Sequence, residues 1–204
     1  MNHLDKIERL GNRYFAMRHG HSLANQQGLI VSDPANGCRG YGLSAAGRSQ
    51  LESSCGEVDS LDSKTMIISS DFRRAIESAE IAARLFGLTA LIETDARLRE
   101  RHFGELELGP DDAYAEVWRH DAEDADHEHR AVESPNRVMS RVTELITDLE
   151  RRHVDQTFLL VSHGDALQIL QTAFARRDAA SHRQLQHLQT AEIRLLQLAP
   201  SANR

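Results

Sequence analysis

Four short polar clusters in the 204-residue sequence combine arginine, histidine and glutamate, side chains that suit phosphate chemistry. Arginine presents a planar fork of donors that matches phosphate oxygens. A neutral imidazole can attack phosphorus covalently and divide one difficult displacement into two easier steps. A carboxylic acid can protonate the alkoxide that leaves. The clusters therefore predict phosphoryl transfer, and they occupy residues 18–22, 70–75, 98–104 and 162–164.

Each cluster has a distinct composition. Residues 18–22 read Arg-His-Gly-His-Ser, and Asn25 follows shortly after. Residues 70–75 read Ser-Asp-Phe-Arg-Arg-Ala, residues 98–104 read Leu-Arg-Glu-Arg-His-Phe-Gly, and residues 162–164 read Ser-His-Gly. Together they supply two imidazoles, at least two guanidiniums and a carboxylic acid, which can bind, attack and protonate a phosphate ester.

Short apolar runs predict the strands that must carry these clusters. The runs lie at residues 14–17, 65–68, 88–93, 157–161 and 191–198. Helices are predicted from Ser44, from about 72 to 86 after a cap at 69–71, from 138 to 152, and after residue 165. Residues 21–43 are rich in Gly, Asn, Gln and Ser and predict a long loop with one helical turn, and loops of that length are usually functional.

The repeated order of strand, loop and helix predicts an α/β fold. We expect a three-layer sandwich, with a mostly parallel central sheet and helices on both faces. Sites in such sheets form at the carboxyl ends of the strands, where three of the four clusters lie. The whole chain, 1–204, is expected to be one domain, with an insertion or cap at about 101–136 that is partly helical near 114–119.

These motifs and their order resemble the histidine phosphatase superfamily, the phosphoglycerate-mutase-like proteins. The resemblance spans roughly residues 13–198, and four motifs in the family's order are far more specific than one Arg-His-Gly tripeptide. It implies that His19 is the nucleophile, that Glu100 is the proton donor, and that His163 binds phosphoryl oxygens. It further implies phosphate-binding roles for Arg18 and Arg74.

The resemblance extends to smaller details of the site. Asn25 matches an Asn that contacts the phosphate, and Gly164 can offer its backbone amide. The implied mechanism is attack by neutral His19, whose other ring nitrogen should be held by a backbone carbonyl. Arginine and imidazole supply the positive charge, so neither a metal nor a cofactor is implied.

Several positions have competitors within the sequence. Arg73 competes with Arg74, which is preferred because the family's Arg directly precedes Ala. Glu105 and Glu107 compete with Glu100 for the role of acid. His21 either contacts substrate or faces solvent, and Asn25 could be a turn residue only.

The predicted insertion contains three histidines in an acidic stretch. His120, His127 and His129 could form a metal site, but a solvated charged insertion is preferred. Tyr114 and Trp118 either line the substrate entrance or pack within the insertion.

Composition limits the partners and the location. The net charge of -7 excludes nucleic acid as the expected partner, and no apolar run approaches the ~18 residues of a membrane span. Cys38 and Cys55 show neither a CxxC spacing nor a disulfide framework. We expect a cytoplasmic protein that binds a small phosphorylated substrate, with a homodimer left open.

The same pocket is compatible with three functions. The cofactor-dependent mutases carry a Trp-rich stretch after the first motif, whereas this sequence has no Trp there. A phosphatase is therefore preferred over a mutase. The mutase remains open, since the segment 101–104 resembles theirs. A non-catalytic phospho-ligand binder is a third alternative, which the retained His19, Glu100 and His163 disfavour. The sequence does not identify the substrate.

Overall fold

A computed structural model describes residues 1–56, 58, 60–88 and 91–201. Its sheet has the strand order β3-β2-β4-β1-β5, and β5 alone among these runs antiparallel to its neighbour. The predicted mostly parallel α/β sheet is confirmed. The strands are Arg13–Arg18 (β1), Met66–Ser69 (β2), Glu93–Thr94 (β3), Thr157–Ser162 (β4) and Ile193–Leu196 (β5).

The helices fill the connections between strands. They are Leu23–Gln27 (α1), Pro34–Gly37 (α2), Ala45–Cys55 (α3), Arg73–Leu85 (α4), Tyr114–Glu123 (α5), Pro135–Arg152 (α6) and Gly164–Phe174 (α7). Short 3₁₀ turns occur at His3–Lys6, Ala96–Leu98, Gly104–Leu106, Asp111–Ala113, His129–Ala131 and Ala179–Gln184. Within the described residues, no helix combines the length and the apolarity that crossing a membrane requires.

Alternating side chains of the central strands build a core on each face of the sheet. Tyr14 and Ala16 of β1 pack with α6 and α7, whereas Phe15 and Met17 pack with α3 and α4. Because both faces are covered, β1 and β4 are apolar along most of their length. Helices therefore lie on both faces, as the sequence predicts.

The loop after β1 is more structured than expected. It contains two short helices, α1 and α2, rather than one helical turn. It packs tightly on α3, since a Cβ built on Gly47 would lie 2.0 Å from the carbonyl oxygen of His21. Ser44 caps α3 as predicted, because its Oγ accepts a hydrogen bond of 3.2 Å from the Gly47 amide.

Two local predictions are wrong or only partly met. Asp71 does not cap α4, because both of its carboxylate oxygens accept hydrogen bonds from Arg99, at 2.8 and 2.5 Å. Phe72 occupies the N-cap position without a side-chain bond to the helix. The strand predicted at 88–93 is reduced to the exposed pair Glu93–Thr94, and residues 89–90 of that run lie outside the described residues.

The register of β1 and β4 positions the polar clusters. Arg18 pairs with Ser162, so the residues that follow them, His19 and His163, leave the sheet side by side. On the other side of β4, the amide of Ser70 bonds to the carbonyl of Val161. Three of the four clusters thus meet at one edge of the sheet.

The central position of β4 makes a stability prediction. Leu160→Ala should lower the free energy of unfolding by about 2–5 kcal/mol, because Leu160 is fully buried and its removal leaves a cavity. Leu195→Ala on β5 is the matched control, since Leu195 is 40% exposed and its loss should cost far less. Urea denaturation measures both values. An equal loss of unfolding free energy in the two variants would contradict the central position of β4 in the core.

Candidate active site

A cavity of about 240 Å³ opens at the carboxyl ends of β1 and β4. All but one of the residues that the sequence predicts for the site line this cavity. His163 is the exception, because it lies fully buried behind the wall. The lining members are Arg18, His19, Asn25, Arg74, Glu100 and Gly164.

His19 is held in one tautomer. Its Nδ1–H donates to the carbonyl oxygen of Gly20 at 2.8 Å, and since a carbonyl can only accept, the proton must be on Nδ1. Its Nε2 therefore carries a lone pair. Burial, and then the charges of Arg74 and Arg18, lower the pKa of His19 well below 6.5. A neutral imidazole with an available Nε2 is a competent nucleophile.

Arg74, in the first turn of α4, connects the two histidines. Its Nε–H is shared between Nε2 of His19, at 3.1 Å, and Nδ1 of His163, at 3.2 Å. One Nη group donates to the carbonyl of Val31 at 2.9 Å, whereas Nη1 is buried without a partner among the described residues. Arg73 instead projects outward and pairs with Glu77. Arg74 is thus the arginine of this pair that reaches the cavity.

Arg18 approaches the same space from the end of β1. Its Nη1 donates to Nε2 of His187 at 2.7 Å and to the carbonyl of Leu188 at 3.0 Å, and its buried Nε has no partner in the described part of the chain. Burial and the adjacent Arg18 lower the pKa of His187 to about 4, so that this ring can accept. A Cβ at Gly164 would lie 3.2 Å from the His187 ring, so a larger residue there would require that ring to shift.

His163 is fixed from both sides. Its Nδ1 accepts from Arg74, so Nε2 carries the proton and donates to Oγ of Ser70 at 2.9 Å. Its ring centre is 5.1 Å from that of His19. Burial and the charge of Arg74 lower the pKa of His163 well below 6.5. The site therefore contains two neutral imidazoles between guanidiniums.

Glu100 supplies the carboxyl group of the cavity. Its Oε1 accepts from the backbone amides of Arg101, at 2.9 Å, and Ala166, at 3.1 Å, which leaves Oε2 to carry a proton. Burial, followed by the negative charge of Asp165, raises the pKa of Glu100. A carboxyl group with a raised pKa can act as a general acid.

The competing acids lie elsewhere. Glu105 is exposed, and Glu107 uses Oε2 to accept from the amides of Ser32, at 2.7 Å, and Asp33, at 3.0 Å. Neither lines the cavity. Glu107 thus stabilises the loop that follows β1.

Asn25 and His21 lie near the site, and each also forms a hydrogen bond that stabilises the loop after β1. Oδ1 of Asn25 accepts from the amide of Ser22 at 3.0 Å, which completes a capping box at the start of α1. This bond uses Oδ1 as the acceptor, and Asn25 also lines the cavity. His21 does not line the cavity, and its Nδ1 contacts Oγ of Ser44 at 2.9 Å.

Most of the acidic stretch 121–130 is exposed, as the sequence predicts, but a buried ion-pair network also crosses the predicted insertion. Arg101 and Asp121 are both fully buried and form two hydrogen bonds of 2.7 Å. Arg101 also lies 3.5 Å from Asp165, which accepts from Nε1 of Trp118 at 3.0 Å. His127 contacts Asp121 at 2.6 Å. No local sequence signal pairs residues this far apart, and the network anchors α5 over the site.

The other histidines of the insertion are at the surface. Glu116, His120 and His129 have potential ligand atoms within 4.8 Å of one another, in an exposed or half-exposed setting. His127 does not belong to this group, since it is bound to Asp121. Tyr114 and Trp118 both line the cavity and also stack on each other at 5.4 Å.

The arrangement has direct counterparts among known proteins. The profile of the histidine phosphatase superfamily (branch 1) matches residues 14–204. The chain belongs to this superfamily. The resemblance inferred from the four motifs is thereby confirmed, and with it the enzyme class, a phosphatase of the histidine phosphatase superfamily.

Individual relatives agree with this assignment. A glucosyl-3-phosphoglycerate phosphatase of Mycolicibacterium vanbaalenii is 31% identical over 176 residues, which cover 79% of this histidine phosphatase and 73% of that protein. A solved mycobacterial glucosyl-3-phosphoglycerate phosphatase complexed with VO3 has a TM-score of 0.75 at 25% identity and 90% coverage of each chain. Bacillus stearothermophilus YhfR shares the fold, with a TM-score of 0.72 at 21% identity, covering 93% of this chain and 95% of that one.

The environment of His19 predicts its behaviour in solution. In the free histidine phosphatase, His19 should remain neutral, with its proton on Nδ1, from about pH 8 down to about pH 6. A pKa lowered well below 6.5 means that a proton is added only at more acidic pH. NMR of ring-¹⁵N-labelled protein measures the tautomer, and His19→Gln assigns its signals. Titration with a midpoint near 6.5 would contradict this description of the site.

Proposed function

We propose that this protein is a metal-independent phosphomonoester hydrolase that acts through a phosphohistidine intermediate on His19. The observation that carries the proposal is the set of groups around one cavity. A neutral His19, whose unprotonated Nε2 accepts only the shared Nε–H of Arg74, lies between Arg18 and Arg74, each of which has a buried donor without a partner in the described chain. Such donors require an acceptor, and a phosphate dianion provides several.

Substrate binding uses the cationic end of the cavity. Arg18 and Arg74 donate to the phosphoryl oxygens, and their charges offset those of the dianion. Asn25 adds its Nδ2 donor, and the amide of Gly164 contributes from the first turn of α7, where the helix dipole favours an anion. His163 binds a phosphoryl oxygen once its Nδ1 gains a proton, which the dianion favours.

The first chemical step transfers the phosphoryl group to the enzyme. Nε2 of His19 attacks phosphorus in line, the bond from phosphorus to the ester oxygen breaks, and Glu100 gives its proton to that oxygen. The carbonyl of Gly20 stabilises the imidazolium that forms, because it accepts from Nδ1. The products of this step are the free alcohol, ionised Glu100 and phosphohistidine.

Water completes the cycle. Glu100 takes a proton from the attacking water, the oxygen of that water bonds to phosphorus, and the bond from phosphorus to Nε2 breaks. Inorganic phosphate leaves, and His19 and Glu100 return to their starting protonation states. Fixed guanidiniums supply the electrostatic stabilisation that a metal ion gives in other phosphatases, so activity should persist in EDTA.

The mutase alternative loses one of its supports. The segment 101–104 resembles that of the mutases, but Arg101 is fully buried and bonded to Asp121 rather than directed into the cavity. This burial disfavours direct contact between Arg101 and a second substrate. Transfer of phosphate to 3-phosphoglycerate faster than to water would nevertheless favour a mutase.

Removal of the nucleophile tests the covalent step. His19→Ala should abolish acid-labile phosphate on the protein and lower kcat for p-nitrophenyl phosphate by on the order of 10³-fold or more. His21→Ala is the matched control, because it removes an imidazole from the same loop that does not line the cavity. Rapid-quench labelling and steady-state rates measure both effects. Persistent labelling of the His19 variant would refute the assignment.

Removal of the acid should depend on the leaving group. Glu100→Gln should slow hydrolysis of an alkyl phosphate such as glycerol 2-phosphate by about 10²–10⁴-fold, because its alkoxide needs a proton. The rate of the first step with p-nitrophenyl phosphate should change much less, since p-nitrophenolate leaves without one. Glu105→Gln provides an exposed control. Single-turnover kinetics measure the step, and equal slowing of both esters would place the acid elsewhere.

A further inference from the structure

We infer that the leaving-group end of the cavity selects phosphomonoesters whose alcohol carries hydroxyl groups and no second anionic group. This inference rests on the proposed hydrolase function and names its substrate class. It is based on the separation of charge along the cavity.

The cationic side chains of the cavity are concentrated at one end. Arg18 and Arg74, the arginines that line it, both contact histidines of the phosphoryl site. A phosphate dianion bound there would occupy their unpaired donors. No other lysine or arginine among the described residues lines this cavity. The arginine beside it, Arg183, is already engaged by Asp165, Gln168 and the ring of Trp118.

The remaining ionisable wall is largely acidic. Glu100, Asp111 and Asp165 all line the cavity, together with the Tyr114 ring. Asp165 is only 4% exposed and follows directly after Gly164 of the phosphoryl site. Its charge reaches Glu100, whose pKa it raises. The acidic side chains of the wall thus include one, Asp165, close to Glu100, the proposed acid.

Asp165 remains negative towards the cavity although it has cationic partners. Arg101 lies 3.5 Å from its Oδ2 and Arg183 lies 3.7 Å from its Oδ1, but neither arginine lines the cavity. Arg101 is fully buried behind the wall, whereas the Arg183 side chain is 31% exposed but is occupied by Asp165 and by a hydrogen bond to Gln168. The Asp165 carboxylate is therefore the charged member of these pairs that lines the cavity. Arg183 is held there by stacking on Trp118, 3.5 Å from its ring centre, and Trp118 donates to Asp165.

Asp111 extends the acidic wall to the entrance. It is exposed, and it forms no ion pair with any residue of the described segments. Its backbone amide bonds to the carbonyl of Gly28 at 2.9 Å, which fixes it beside the end of α1. A leaving group that extends outward from the phosphate passes these carboxylates.

Charge and hydrogen bonding then decide the preferred alcohol. A carboxylate or second phosphate on the leaving group would face Asp111 and Asp165 without a cation of its own, and like charges at such sites are strongly unfavourable. A hydroxyl group can donate to the same oxygens. The acidic wall therefore excludes anionic alcohols and recognises polyols. Its specificity comes from repulsion of anionic groups as well as from hydrogen bonds to hydroxyl groups.

A matched pair of esters tests the inference. Glycerol 3-phosphate and 3-phosphoglycerate differ mainly by a hydroxymethyl group in place of a carboxylate. Both should be offered to the full-length enzyme, in EDTA at pH 7, as competitors of p-nitrophenyl phosphate. Glycerol 3-phosphate should compete at least about tenfold better, measured as kcat/KM or, for a slow substrate, as Ki. Equal competition, or better competition by 3-phosphoglycerate, would overturn the inference.

Three variants assign the preference to the acidic wall. Asp111→Asn and Asp165→Asn should each move the competition ratio towards one by several-fold, chiefly through better binding of 3-phosphoglycerate. Asp112→Asn is the control, since Asp112 is exposed and does not line the cavity. Asp111 is at the surface, so its variant tests the idea even if the buried Asp165 variant fails to fold. The inference would be refuted if the competition ratio were unchanged in Asp111→Asn, and also in Asp165→Asn when that variant folds.

Failure of the inference differs from failure of the proposed function. An enzyme that forms phosphohistidine and hydrolyses p-nitrophenyl phosphate, yet shows no charge preference, would retain the proposed function and lose only its substrate class. A protein that forms no phosphohistidine would lose the proposed function itself.

Discussion

The parallel pairing of β1 with β4 is the constraint on which the site depends. Arg18 lies opposite Ser162, so that His19 and His163 leave the sheet together and their rings are 5.1 Å apart. A shift of one residue would turn every side chain of the strand to the other face, and the two cores prevent it. Core packing thereby fixes the relative position of the two imidazoles, and Arg74 can bridge them only because that position is fixed.

The site concentrates positive charge in a protein whose overall charge is -7. Burying Arg18 and Arg74 near each other is unfavourable, and protonated histidines beside them would add further repulsion. The lowered pKa values of His19 and His163 show how the structure avoids that repulsion, by keeping both rings neutral. The same neutrality is what the proposed role of Nε2 as the nucleophile requires. A dianion relieves the repulsion between the arginines, so binding and activation have a common electrostatic origin.

Features with a local signal were predictable from the sequence, and features made by distant pairs were not. Apolar runs indicated the buried strands, and the polar residues that follow them indicated where a site would form. Arg101 and Asp121 gave no such signal, because a charged stretch has the same composition whether it is solvated or paired internally. His187 was missed since its partner, Arg18, is 169 residues away. The sequence suggested that Asp71 caps α4, because it does not show that the Arg99 guanidinium lies within hydrogen-bond distance of the Asp71 carboxylate.

Placement of the acid and recognition of the leaving group depend on one short segment. Glu100 is held by the amides of Arg101 and Ala166, while the side chain of Arg101 anchors Asp121 of α5 and approaches Asp165. A movement of α5 would therefore change the position of Glu100, the proposed acid. The phosphate-binding end is connected to α5 as well, because His187 bonds both to Arg18 and to Gln168, and Gln168 accepts from Arg183, which stacks on Trp118. Both ends of the cavity are thus connected to α5, so that a change in α5 would affect Arg18 as well as the proposed acid and the proposed choice of alcohol.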